Sequence, residues 1–267
     1  MRVIVTRPAS QAGKWVADLR AAGLEALSLP LIEIAGPPEP QAVHAAWQRL
    51  AQFDALMFVS ANAVQQFFAL RPQAFDLAGL DAGSAPRFFV TGPGSRDALL
   101  QAGVASTQID APDEAGAQLD SEALWQRVQQ QVRVGWRVLI VRGNTDGGGD
   151  DHGAAQGVGR DWFAARLAER GALVEFVVAY VRRAPQLSAN ALALLQVAAS
   201  DGTVWLFSSS EALTNLRSMA EGQSWSAARA LATHPRIAQA ARLAGFGLVC
   251  ESRPAVPDLL ASIESLA

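Results

Sequence analysis

Two short stretches place hydroxyls where an apolar run gives way to an amphipathic one: Ser60, Ala61 and Asn62 after LMFV, and Ser208, Ser209 and Ser210 after VWLF. At such strand-to-helix turns serine and asparagine cap first-turn amides. Neighbouring amides at the same helix N-terminus suit an anion, which the helix dipole favours. Capping is expected at both stretches, together with ligand contact. Arg7 and Arg142 stand directly after matching strands, RVIVTRP and RVLIVRG. A guanidinium there offers a planar fork to a carboxylate, the alternative being an ion pair with a neighbouring helix. Thr91, Gly92, Gly94 and Ser95, in TGPGS, read as a glycine-rich turn before a helix, able to cradle an anion or to serve turn geometry alone. Arg236 follows His234 and Pro235 at a predicted helix start, where proline is a favoured first residue. His234 could act as an acid or base near neutrality. Tyr180, the chain's one tyrosine, sits in an apolar run, where a phenol packs or donates a hydrogen bond. His44, on a predicted exposed helix, and His152, in a glycine-rich stretch, form no metal-ligand pattern, and no metal site is expected.

The elements that must position these residues alternate. Short runs rich in Val, Ile, Leu and Phe (VIVT, ALMFVS, RFFVTG, RVLIVRG, TVWLFS) are separated by amphipathic stretches such as QAGKWVADLRAAG, SRDALLQAG, RDWFAARLAERGA and HPRIAQAARLAG. That is the pattern of parallel strands with covering helices, an α/β fold. Much of it is written twice. Ser60 and Ser209 lie 149 positions apart in similar sentences, Gly103 and Gly245 close similar helices 142 apart, and Arg7/Arg142 and Gly23/Gly171 recur at offsets of 135 and 148. The last two offsets differ by 13, and the difference falls on GNTDGGGDDHGAAQGVG, which has no periodicity and reads as a loop inserted between Gly143 and Gly159. The unit that opens the chain has its counterpart only near residue 140, so a plain tandem does not fit. Instead the chain begins one domain, builds a second and returns: residues 1–35 with 182–267, and 36–181. The runs EALSLPLIEIAG and VEFVVAYVRRAP, each stopping at Pro or Gly, are the expected crossing strands.

Composition narrows the partners. Half the residues are hydrophobic and 18% are charged, which suits packed cores; a net charge of −3 offers no basic field for nucleic acid. Of the 22 basic residues only Lys14 is lysine, an excess of arginine that suits carboxylates but is explained as well by solvated helix faces. The single Cys250 excludes an internal disulfide, and its apolar flank predicts burial. The N-terminus enters a strand without an export leader, and no window approaches the roughly 18 apolar residues of a membrane span. A cytoplasmic monomer without membrane contact is expected.

Taken together, VTRP, LPLIEI, FVSANAV, VVAYVRR, FSSSEAL and HPRIAQAARLAGF, in this order and from Arg2 to about Val249, resemble uroporphyrinogen-III synthase. The resemblance implies two similar doubly wound, flavodoxin-like domains joined by two crossing strands, with a cleft between them and no cofactor. It implies conversion of the linear tetrapyrrole hydroxymethylbilane to uroporphyrinogen III, with loss of water and inversion of ring D. The substrate carries eight carboxylates, so donors spread over many strand ends would suit it. On this basis Arg7, Ser60, Ala61, Asn62, Thr91, Gly92, Arg142, Gly143, Ser208, Ser209, Ser210, Arg236 and Ile237 are candidate substrate-binding residues. Tyr180 matches a tyrosine proposed in the family to assist departure of the hydroxyl. His234 ranks below the backbone amides, because family members carry other residues there. Arg236 and Ile237 stand where some relatives have threonines, so those side-chain contacts do not carry over. A non-catalytic two-lobed binding protein is the main alternative. A dinucleotide enzyme is disfavoured, because VTRPAS lacks the glycines of G-x-G-x-x-G.

Overall fold

The computed structural model describes residues 1–73, 75, 85–113, 120–145 and 158–266. The chain opens with β1 (Arg2–Val5), α1 (Ala9–Ala21) and β2 (Glu25–Ser28). There follow β3 (Glu33–Ala35), α2 (Pro40–Gln48), β4 (Ala55–Phe58), α3 (Ala61–Ala69), β5 (Arg87–Val90), α4 (Pro93–Gln101), β6 (Ile109–Asp110), α5 (Ser121–Val128), β7 (Arg137–Thr145), α6 (Val158–Glu169) and β8 (Leu173–Arg183). The chain closes with α7 (Ala189–Ala198), β9 (Val204–Phe207), α8 (Ser210–Met219), β10 (Arg229–Ala232), α9 (Pro235–Leu243), β11 (Leu248–Glu251) and α10 (Val256–Ser265).

Two compact units result, Met1–Glu33 with Arg183–Ala267 and Ile34–Arg182, so the chain passes from one to the other at Glu33 and back at Arg182. The first unit holds a five-stranded sheet of order β11-β10-β9-β1-β2, with parallel pairs throughout. Counted in the order in which this unit uses its strands, that is 2-1-3-4-5, the flavodoxin order. The second unit holds β3-β8-β7-β4-β5-β6, its β4, β5, β6, β7 and β8 pairings all parallel. Set β3 aside, start the count at β7, and the order 2-1-3-4-5 returns. The sequence repeat is therefore a repeat of fold, entered at a different strand. Its punctuation agrees: Gly23, Gly103, Gly171 and Gly245 all have φ between 77° and 92°, the left-handed region that stops a helix where only glycine avoids a Cβ clash.

Period-two patterning gives each sheet two apolar faces. In the second unit Leu56, Phe58, Phe88, Val90, Leu139 and Val141 pack under α2, α3 and α4, whereas Ala55, Met57, Phe89, Val138 and Ile140 pack under α5 and α6. In the first unit Val3, Val5, Val204, Leu206 and Leu231 meet α1 and α10, and on the opposite side the Trp205 and Phe207 rings stack on each other and meet Trp225 and Phe246 edge to face. All four residues of β4 and all four of β9 are buried, so neither strand can carry a polar side chain except past its end.

Two expectations are corrected here. EALSLPLIEIAG is not one crossing strand: β2 belongs to the five-stranded sheet and β3 to the six-stranded one. Leu29 and Leu31 still donate to the Val5 and Thr6 carbonyls at 3.0 and 3.2 Å, but Pro30 between them has no N–H and interrupts the ladder. Cys250 is half-buried rather than buried, because β11 is the edge of its sheet. The inserted stretch lies largely outside the described residues, as does His152; its first residues, to Thr145, continue β7.

At the amino end of β7, Glu175 accepts one hydrogen bond from Arg49 and another from Arg137, the latter at 2.6 Å, and both guanidiniums lie over the Phe53 ring. The Arg137 hydrogen bond, seconded by Arg49 and opposed by desolvation, holds the Glu175 carboxyl below the usual carboxylate range. A depressed carboxylate stabilises the fold above the unfolded-chain value and loses that contribution as pH falls through the folded value. Glu175→Gln is therefore expected to lower stability by about 1 kcal/mol near neutrality, the scale of a partly exposed ion pair. In chemical denaturation the gap from the parent should narrow as pH falls from neutrality through the lowered folded-state value of Glu175; a gap independent of pH would assign the clamp no electrostatic role.

Candidate functional site

Both sheets reverse direction of strand order next to their first-built strand, between β1 and β9 in one unit and between β7 and β4 in the other. Crevices of doubly wound folds form at the carboxyl ends of the strands at such points, and most of the candidate residues lie there.

In the second unit Ser60 is the N-cap of α3. Its backbone is extended (φ −166°, ψ 163°) and its Oγ accepts the Ala63 N–H at 3.2 Å. Ala61 and buried Asn62 form the first turn. Tyr180, on β8, is 3% exposed and packs in the core under α3, with its hydroxyl 3.1 Å from Ser60 Oγ. Two local features aim it. The β7/β8 register slips between Arg142, paired with Val178, and Gly143, paired with Tyr180, so Ala179 is an extra residue that turns the strand. At Gly143, a Cβ would fall 2.2 Å from the Tyr180 Cζ, so the ring lies where any other residue would put a side chain. Arg142 is half-buried and rests on Phe176, its Cζ 4.8 Å from the ring centroid. Thr91 and Gly92 precede α4, and Gly92 caps it without a side chain. In TGPGS the turn is therefore confined to Thr91 and Gly92. Pro93 already has helical geometry at the first position, and Gly94 and buried Ser95 belong to the first turn.

In the first unit Thr6 donates to the Leu206 carbonyl at 2.8 Å, tying β1 to β9 at the switch point. Arg7 follows. Its Nη2 donates to Gln11 Oε1 at 3.0 Å, its Cζ stands 4.5 Å from the Trp15 ring centroid, and its Nε is buried without a hydrogen-bond partner. Burial pushes this guanidinium below its ordinary value, although an arginine stays charged in water at any working pH. Ser209 caps α8, its Oγ accepting the Glu211 N–H at 3.2 Å; Ser208 precedes the cap and Ser210 is the first helical residue. His234 caps α9 by accepting the Arg236 N–H on Nδ1 at 3.1 Å, so in the neutral ring the proton sits on Nε2. The Arg236 side chain is exposed. Ile237 is 5% exposed, its side chain packs in the core, and its N–H is bonded to the His234 carbonyl.

Charge accounting separates the arginines. Arg2, Arg49, Arg87, Arg137, Arg166, Arg183 and Arg242 all pair with carboxylates. Among the described residues Arg7 and Arg142 pair with none; each lies instead on an aromatic ring. The expected alternative, an ion pair with a neighbouring helix, is therefore not formed there. Sequence reading missed both rings and the Ser60–Tyr180 contact. Trp15 was within reach, since Gln11 and Trp15 follow Arg7 at spacings of four and share a face of α1. Phe176 and Ser60 were not, because their contacts depend on strand register. Among the described residues no His, Cys, Asp and Glu gather as a metal site, and no helix is long and apolar enough to cross a membrane.

These observations define a two-unit α/β protein made from one flavodoxin-like frame used twice, with a guanidinium and a capped helix start at each switch point. The chain belongs to the uroporphyrinogen-III synthase HemD family, whose model matches residues 13–261. It is 31% identical over 182 residues to the uroporphyrinogen-III synthase of Salmonella typhimurium, covering 68% of this chain and 65% of that protein. To the Synechococcus elongatus uroporphyrinogen-III synthase it is 31% identical over 200 residues, covering 73% and 66%. The match thus spans just under two thirds of the length of these relatives. The crystal structure of uroporphyrinogen-III synthetase from Helicobacter pylori is similar in fold, with a TM-score of 0.58 at 16% identity over all of both chains. A mutant uroporphyrinogen III synthase from the extremely thermophilic bacterium Thermus thermophilus gives 0.52 at 17%, covering 100% of this chain and 98% of that one.

The capping geometry of His234 makes a prediction. His234→Ala should lower unfolding free energy by about 1 kcal/mol, and His234→Asn, which also caps, should recover most of it. Denaturant melts of the three proteins test this; equal stability of the alanine variant and the parent would leave the ring without a capping role.

Proposed function

We propose that the chain catalyses the uroporphyrinogen-III synthase reaction, hydroxymethylbilane to uroporphyrinogen III and water. A pyrrole nitrogen lone pair expels the terminal hydroxyl, which leaves as water on taking a proton, and an azafulvene remains. Ring D is attacked at its already substituted carbon; the spiro intermediate fragments and closes with that ring reversed. Carbon and electrons come from the substrate, so the protein's contribution is orientation and charge neutralisation, and this reading needs no cofactor. Family membership supports it. The observation that carries it is the pair of guanidiniums at equivalent strand ends, Arg7 and Arg142, each held on a ring and without a carboxylate among the described residues. Substrate carboxylates are the partners they lack.

Around them the capped starts of α3 and α8 present the positive ends of their dipoles, with Ser60, Ala61, Asn62, Ser208, Ser209 and Ser210 as contact residues. Thr91, Gly92, Gly143 and Arg236 are further contacts in this reading; Ile237 serves as packing. Tyr180 supplies a hydrogen bond to the departing oxygen. The protein works as a cytoplasmic monomer, in keeping with its single cysteine.

Freshly made hydroxymethylbilane, followed by oxidation and separation of the isomers, tests the activity. Type III product is expected; type I alone would reject the enzyme reading in favour of a binding protein. Arg7→Ala and Arg142→Ala should each raise KM about tenfold, the loss of one charge-assisted contact of about 1.4 kcal/mol. Tyr180→Phe should slow turnover without abolishing it; complete loss in a folded variant would refute a reaction driven by the substrate's own pyrrole.

A further inference from the structure

We propose that Ser60 and Gly143 are positioning residues for the Tyr180 phenol, acting together from the two sides of its ring. The inference rests on the reading of Tyr180 as a group of the reaction, and it adds how that group is held.

One oxygen does two jobs. Ser60 Oγ accepts the Ala63 N–H at 3.2 Å, which fixes the start of α3, and stands 3.1 Å from the Tyr180 hydroxyl. The Ala63 bond occupies one lone pair of Oγ and leaves the serine proton free to point at the phenol oxygen. With that proton donated to it, the phenol oxygen keeps its own proton for another acceptor, the orientation a donor to a leaving oxygen requires. The ring reaches this place only because β7 has glycine at position 143. A Cβ there would lie 2.2 Å from Cζ and 2.5 Å from both Cε atoms, closer than side chains approach. The register slip between Arg142 and Gly143 puts that gap opposite Tyr180, where unbroken pairing would have continued with Ala179.

The other unit provides an internal control. Ser209 caps α8 in the equivalent position, through the Glu211 N–H at 3.2 Å, yet the chain has no second tyrosine to meet it. Capping alone therefore does not explain why Ser60 faces a phenol, and the two duties can be separated experimentally.

Because Tyr180 is the only tyrosine, protein labelled with 13Cζ-tyrosine gives a single resonance that reports on this hydroxyl alone. Ser60→Ala is expected to move that resonance and to lower kcat about tenfold, the size of one oriented hydrogen bond, with any rise in KM reporting its separate contact with the substrate. Ser60→Thr, which keeps a capping hydroxyl, should restore both. Gly143→Ala should move the resonance and lower kcat, whereas Ser209→Ala should leave the resonance in place. An unmoved resonance in Ser60→Ala, or no rescue of resonance and kcat by Ser60→Thr, would overturn the proposal. If the parent made no type III product, the enzyme reading would fall while the resonance still reported whether Ser60 and Gly143 hold the phenol.

Discussion

A parallel sheet covered by helices on both faces leaves its central strands no surface to use. In β4 and β9 every residue is buried, so polar chemistry has to wait until the strand ends. There the chain must also start a helix, whose first four N–H groups have no partner inside the helix. The residue at that junction is asked to satisfy the helix and to face outward at the same time. Ser60 and Ser209 meet both demands with one hydroxyl, and His234 meets the first with a ring nitrogen. Where the candidate residues sit follows from this constraint.

Holding a charge at such a junction is harder than holding a hydroxyl. A guanidinium near a strand end loses water on the sheet side, and burial already pulls Arg7 below its ordinary value. Elsewhere the fold answers with carboxylates or carbonyls: Glu175 receives both Arg49 and Arg137, Asp110 receives Arg87, and Arg20 and Arg229 donate to the Ala26 and Leu266 carbonyls. Arg7 and Arg142 are answered with rings, Trp15 and Phe176. A ring attracts a cation without neutralising it, by an amount on the order of 0.5–2 kcal/mol. It fixes the guanidinium and leaves its charge available to a ligand. An acidic partner at either place would have neutralised that charge and left nothing for an anionic ligand.

Much of the frame was legible in the sequence because it rests on local signals. Buried strands read as apolar runs, Gly23, Gly103, Gly171 and Gly245 as helix stops, and Ser60 and Ser209 as caps, since propensity and capping act within a few residues. What failed depended on more distant geometry. Cys250 has apolar neighbours, but its burial is set by β11 being a sheet edge, and edge or centre is a property of strand order. The Tyr180–Ser60 contact spans 120 positions and depends on a one-residue register slip, which leaves no mark in composition or periodicity.

Repetition of the frame did not preserve its details, and the differences fall among the candidate residues. Arg7 is followed by Pro8, which leads into α1, whereas Arg142 is followed by Gly143 and a strand that runs on to Thr145. That glycine, together with the slip beside it, turns a region of ordinary pairing into a slot for an aromatic ring. The first unit has no such slot beside Ser209 among the described residues, and its own strand-end polar tie is Thr6 on the Leu206 carbonyl. A duplicated scaffold thus supplies two equivalent sets of strand ends from one design, and substitutions at a few junction residues suffice to make one set hold a phenol and the other only charge and amides.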